Sequence, residues 1–157
     1  MKRLGPSLLR VAVGTVFVAH GLVKVLPLPG GGVGETAALF ESLAFRMPYA
    51  VAMTLGWVEV AGGVTLVLGA YTGWIAFALL LTTAVTSWKL HLPHGLFLNW
   101  SLEPGVEHGY EFDLLLDGAL LSLIATGGRS MSFDSARRQA AELEADGCAR
   151  VRHGAVD

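Results

Sequence analysis

Residues 49–69 read YAVAMTLGWVEVAGGVTLVLG, and the single acidic residue in that run, Glu59, decides how the chain must fold. At ~1.5 Å rise per residue the run is long enough, as a helix, to cross a hydrocarbon core of ~30 Å. Glu59 lies ten residues from either end, where a charged group costs at least ~2.5 kcal/mol on insertion scales. A carboxylate is too short to reach the headgroups from there, so Glu59 must face polar groups on other helices or a wet cavity.

Three further apolar runs supply those helices: residues 8–26, 73–92 and 110–126, the last slightly short of a full crossing. They carry Arg10, His20, Lys24, Lys89, Glu111, Asp113 and Asp117. The expected fold is all-α, an integral membrane four-helix bundle with a short amphipathic C-terminal tail helix. Residues 1–134 form the transmembrane domain in this reading, and residues 135–157 a polar cytoplasmic tail.

Composition agrees. The 157 residues are 53% hydrophobic and only 15% charged, with mean hydropathy +0.55, whereas soluble domains carry about 25% charged residues. A net charge of −2 offers nothing to nucleic acid. The lone cysteine, Cys148, lies in the tail, so no paired-thiol relay, intramolecular disulfide or cysteine zinc site is available. Met1, Lys2 and Arg3 imitate the basic start of a signal peptide, but Arg10 interrupts the apolar core and apolar sequence continues past Gly21, so no cleavage is expected.

The connections set the order. Residues 27–48 contain a Gly-rich linker at 30–34, with no phosphate-binding pattern, and then a short interfacial helix over 35–45 between Pro29 and Pro48. Residues 70–72 are so few that helices two and three must form a tight antiparallel hairpin. Residues 93–109 make a long loop covering one mouth of the bundle. After Gly127 and Gly128, Ser132 or Asp134 caps a tail helix over 135–145, which Gly147 ends and which rests on the membrane surface. Lys2, Arg3, Arg10, Arg129, Arg137, Arg138, Arg150 and Arg152 gather eight of the eleven basic residues at the two ends. The positive-inside rule then puts both termini in the cytoplasm of a bacterial inner-membrane protein.

With that orientation Lys24, Lys89, Glu111 and Asp113 lie near the outer ends of their helices, and His20, Glu59 and Asp117 nearer the middle. At ~100° per residue Arg10, Gly14, Phe17, Gly21 and Lys24 share one face of helix one, so Arg10 or Lys24 is the expected partner of Glu59. Snorkelling to the headgroups is the competing account of Arg10, Lys24 and Lys89. Two lysines face four carboxylates, Glu59, Glu111, Asp113 and Asp117, so at least one acid is expected to hold its proton. On helix four the Glu111 face, rich in small residues, is expected inward, and the Asp113–Asp117 stripe along a cavity or a second subunit. His91, His94 and His108, with Glu103 and Glu107, suggest a mixed nitrogen and oxygen metal site, but the spacing fits no metal motif and none is assigned.

Taken in order, these residues resemble the DoxX family of small bacterial four-helix membrane proteins. The resemblance rests on Arg10 and Gly21-Leu22-Val23-Lys24, Glu59-Val60-Ala61-Gly62-Gly63, His94-Gly95-Leu96-Phe97, Gly109-Tyr110-Glu111-Phe112 and the closing Gly127 to Asp134, and spans residues 7 to 134. Asp117 and the charged tail stand outside it. The resemblance implies association with membrane redox systems, since related proteins include subunits of thiosulfate:quinone oxidoreductase in sulfur-oxidising archaea. The chain itself shows no flavin, haem or iron–sulfur motif, and His20 alone lies deep in a helix, which argues against bis-histidine haem. The expected function is thus a redox subunit, quinone-linked and served by a partner protein, with no intrinsic cofactor. In that reading Lys24 or His20 donates to a quinone carbonyl and Glu59 or Glu111 relays protons. The alternative is a carrier or assembly protein whose polar cluster holds an ion, a small molecule or a partner.

Overall fold

The computed structural model describes residues 4–28, 31–127, 132 and 134–143. Among these residues the fold is helical, without strands. Helices α1 (Leu4–Val25), α2 (Val33–Ser42), α3 (Pro48–Leu68), α4 (Thr72–Thr86) and α5 (Glu111–Thr126) are followed by α6, residues 134–143. Beyond Thr86 the axis of α4 continues as a π turn, Ser87–His91, and a 3-10 turn, Leu92–His94. Three segments are long and apolar enough to cross a membrane: Leu4–Val25, Pro48–Leu68 and Thr72–His94. Helix α5 has 16 residues and falls short of that length.

Helix α1 packs antiparallel on α3 through paired glycines. A Cβ on Gly14 would lie 2.7 Å from the Gly63 carbonyl oxygen, and one on Gly21 would lie 2.6 Å from that of Gly56. No side chain larger than hydrogen fits, so the two backbones touch at two levels two helical turns apart. Helices α3, α4 and α5 follow in contact, and α5 returns to α1. Val13, Phe17, Leu66, Ala76, Leu79, Leu120 and Leu123 fill the centre. Helix α2 starts two residues earlier than the expected interfacial helix and ends at Ser42, since Ala44 turns to positive φ. It lies on α3, with Ala37 and Phe40 packed against Ala52.

The outward surface is apolar: Leu8, Trp57, Leu81, Leu121 and others are exposed, and Leu115 and Trp74 are 70% and 78% exposed. A water-soluble monomer rarely presents so much contiguous apolar surface, whereas a membrane protein needs it.

Helix α5 reverses one expectation. Asp113, Leu120 and Leu123 are buried, while Leu115 is exposed and a Cβ on Gly118 would meet nothing within 4 Å, so the Glu111 face points outward. The leucines decide the orientation: Leu120 and Leu123 continue the Asp113 stripe and fill the core, and the small residues of the other face could not replace their volume.

At the opposite end the tail completes α4. Tyr71, at α4's N-cap, sits at φ 48 and offers no side-chain cap. Asp134 supplies it, accepting the Tyr71 amide at 2.9 Å, the Thr72 amide at 3.0 Å and the Thr72 hydroxyl at 3.1 Å. Burial raises the Asp134 pKa, but the Thr72 and Tyr71 hydrogen bonds and the nearby Arg138 outweigh it, leaving the carboxyl below its ordinary range. Of the two candidate caps for the tail helix, Ser132 is the one used: its hydroxyl accepts the Ser135 amide at 3.1 Å while the Ser135 hydroxyl accepts the Ser132 amide at 3.1 Å. Arg137 reaches the Tyr71 hydroxyl at 3.2 Å, so the start of α6 is held on protein. Cys148, Gly147 and the basic residues Lys2, Arg3, Arg129, Arg150 and Arg152 lie outside the described residues.

Candidate functional site

The antiparallel glycine contact fixes the first element of the site. Lys24 stands one turn beyond Gly21 and Glu59 one turn beyond Gly56, so their Cα atoms are offset by roughly 9 Å along the axis. Helical side chains lean toward their own N-terminus, which on antiparallel helices brings these two together. Lys24 Nζ donates to Glu59 Oε1. Glu59 is 4% exposed, and its second oxygen, Oε2, is buried with no hydrogen-bond partner among the described residues. An uncompensated buried carboxylate oxygen is costly unless it carries a proton or meets a ligand.

That pair borders a cavity of about 310 Å³. Val16, Phe17 and His20 of α1, Thr36, Leu39 and Phe40 of α2, and Phe112, Asp113 and Leu116 of α5 line it. Thr83, Thr86, Leu90 and His91 close the α4 side. Its wall is chiefly aromatic and aliphatic, with polar groups at a few points, the usual make-up of a small-molecule site. A second pair stands there: His91 Nδ1 lies 2.5 Å from Asp113 Oδ2. Next to it Thr83 donates its hydroxyl to Asp117 at 2.5 Å. A further cavity of about 360 Å³ adjoins on the loop side, bordered by Leu98, His108 and Gly109 and sharing His20, His91, Phe112 and Asp113 with the first. His20 stacks on Phe112 at 6.0 Å between ring centroids and bonds back to the Val16 carbonyl at 2.9 Å.

The structure therefore gathers Lys24, Glu59, His20 and Asp113 around one space, with Asp117 one hydroxyl away. Three expected members lie elsewhere. Arg10 is buried at the opposite end against Gly69, in the field of Asp134, and does not reach Glu59: it lies four turns before Lys24 on the same stripe, too far for any side chain to span. Lys89 is exposed on the π turn, its ammonium 5.2 Å from the Trp88 ring, so it serves the surface as snorkelling predicts. Glu111 turns to the long loop, where its carboxylate accepts the Leu98 amide at 3.2 Å. Among the described residues no three His, Cys, Asp or Glu side chains come together as metal ligands. His94 is exposed, and His108 accepts the Asn99 amide at 3.2 Å.

Sequence reasoning missed the place of His91 in this site, Thr83 and the whole contribution of α2. The π turn explains the first. An unbroken helix would point His91 roughly 120° away from the inward direction of Leu79, but a π turn takes up one extra residue and so returns it to within roughly 20°. The Leu92 amide bonds back five residues to Ser87, and Pro93, with no amide proton, cannot close the next α-helical bond. Pro93 two residues beyond His91 was the available signal.

The family model described as DoxX matches residues 5–92, more than half the chain. The chain belongs to the DoxX family. A Bacillus subtilis protein named "Putative oxidoreductase CatD" is 32% identical over 133 residues, covering 83% of this chain and 85% of that protein. An uncharacterized Haemophilus influenzae protein is 25% identical over 129 residues, 82% of this chain and 87% of its own length. No solved structure matches. DoxX membership and the three apolar helices make this a membrane protein.

Proposed function

We propose that this DoxX protein is the membrane subunit of a redox system and that its cavity receives a quinone, in a role akin to the small subunit of thiosulfate:quinone oxidoreductase. Family membership and a relative named as an oxidoreductase support the redox association. The observation that carries the ligand is Glu59, which with Lys24 lines a largely apolar cavity and whose Oε2 is buried without a partner among the described residues. A quinone ring suits Phe17, Phe40 and Leu116, and a carbonyl oxygen suits an ammonium donor backed by a carboxylate that can relay its proton. When bound, a quinone supplies a two-electron couple between carbonyl and hydroxyl. Lys24 orients one carbonyl oxygen and Glu59 passes it a proton, while a partner redox protein exchanges the electrons. In this reading α5 makes the fourth crossing, both termini lie in the cytoplasm, and the cavity sits in the outer half of the bacterial cytoplasmic membrane.

Binding of a non-reducible quinone analogue to the purified protein tests this. Saturable binding is expected, and Lys24→Met should weaken it about 10-fold or more, the worth of a charge-assisted hydrogen bond. Glu111→Gln, at the start of α5 with its carboxylate turned to the long loop, should leave binding unchanged. Absence of both binding and partner-dependent quinone reduction in native membranes would turn the assignment to a carrier or assembly role.

A further inference from the structure

A quinone has two carbonyl oxygens, and the Lys24–Glu59 pair accounts for one. The cavity holds a second donor–carboxylate pair on different helices, His91 from the π turn of α4 and Asp113 from the first turn of α5. Asp113 is 9% exposed, and His91 borders both cavities. A carboxylate that engages Nδ1 fixes the ring's orientation and tautomer, which leaves Nε2 as the nitrogen free to exchange a proton. π turns cluster at functional positions because they cost regular hydrogen bonding and persist where they aim a side chain. Here the aimed side chain is His91.

We propose that His91, oriented by Asp113, delivers the proton to the second carbonyl oxygen and reloads from the loop-side cavity; this rests on the quinone reading above. Reduction of the quinone consumes two electrons, supplied by the reduced partner protein, and two protons. The Lys24–Glu59 pair gives one proton. The other leaves His91 Nε2, so that one N–H bond breaks and one O–H bond forms on the ligand. His91 is left neutral, its Nδ1–H held by Asp113, and takes up a proton from water in the loop-side cavity beside His108. The other ionisable groups facing this pair are His20 and Lys24 from α1, Glu59 from α3, Asp117 from α5 and His108 from the long loop, while α2 contributes the uncharged Thr36.

The test compares the full-length wild type with His91→Gln and Asp113→Asn in three measurements: analogue binding, the pH profile of quinol formation with the native partner, and the nitrogen resonances of His91. His91→Gln should bind the analogue within about 3-fold of wild type yet lose ~100-fold or more in turnover, the usual worth of a general acid. Its histidine-dependent pH limb should vanish, and added imidazole should restore part of the rate. Asp113→Asn should keep that limb but shift it. Analogue binding should move the wild-type His91 Nε2 resonance while Nδ1 stays protonated, a readout that needs neither turnover nor a folded variant. Turnover and pH profile unchanged in His91→Gln, or an unmoved resonance at saturating analogue, overturns the dyad alone. Failure of the wild type to bind the analogue overturns the quinone reading and the dyad with it.

Discussion

Replacing Glu59 by Gln leaves Lys24, whose side chain is only 23% exposed, without its counter-charge. Breaking a buried pair from one side costs about 3 kcal/mol, more than the pair itself contributes, because the surviving charge keeps its desolvation penalty. The Glu59→Gln protein should therefore melt well below wild type in detergent, and the double variant Glu59→Gln, Lys24→Met should recover part of the loss. An unchanged melting temperature in the single variant would mean that water reaches Lys24. Glu59 and its ties to α1 were legible from one fact, a carboxylate at the centre of an apolar run. The choice of Lys24 over Arg10 was not. Both lie on one stripe, and only the level at which Gly21 meets Gly56 decides which cation arrives.

Helix contacts carry their own tests. A Cβ on Gly63 would sit 2.6 Å from the Gly14 carbonyl, whereas Gly118 faces open space. Gly63→Ala should destabilise by ~1–3 kcal/mol through overpacking, and Gly118→Ala should lose nothing, when thermal melts of the two are compared. The Asp134 cap makes a pH prediction. Its folded pKa lies below the ordinary value, so its contribution is present above the unfolded carboxylate pKa of about 3.9 and fades as pH falls through the depressed folded value. Wild type should be more stable than Asp134→Ala near neutrality by about 1 kcal/mol, the worth of a cap, and the two melting curves should converge in acid. Curves that stay parallel would remove Asp134 from the cap. Element positions were readable because apolar runs and prolines mark them. The rotation of α5 was not, since core volume sets it and core volume is no local periodicity; the π turn announced itself only through the missing amide at Pro93.

For the molecule as a whole, the four-crossing arrangement proposed above predicts that a membrane-impermeant thiol reagent labels Cys148 only after cells are opened. Labelling in intact cells would place the C-terminal segment outside. The polarity of the two ends, which suggested the arrangement, is a property of sequence alone; the first cavity is not, because Thr36, Leu39 and Phe40 of α2 form part of its wall, and the local sequence of α2 reads only as an interfacial helix. The cap on α4 also bears on biogenesis. Its acceptor, Asp134, follows the Thr72 amide by 62 residues, so a nascent chain carries the α3–α4 hairpin with that helix start unfinished until α5 has been made. Insertion of the first three long helices can precede closure, and synthesis of the Asp134 region is the event that locks them; a ribosome stalled before it should leave Tyr71 open to proteolysis.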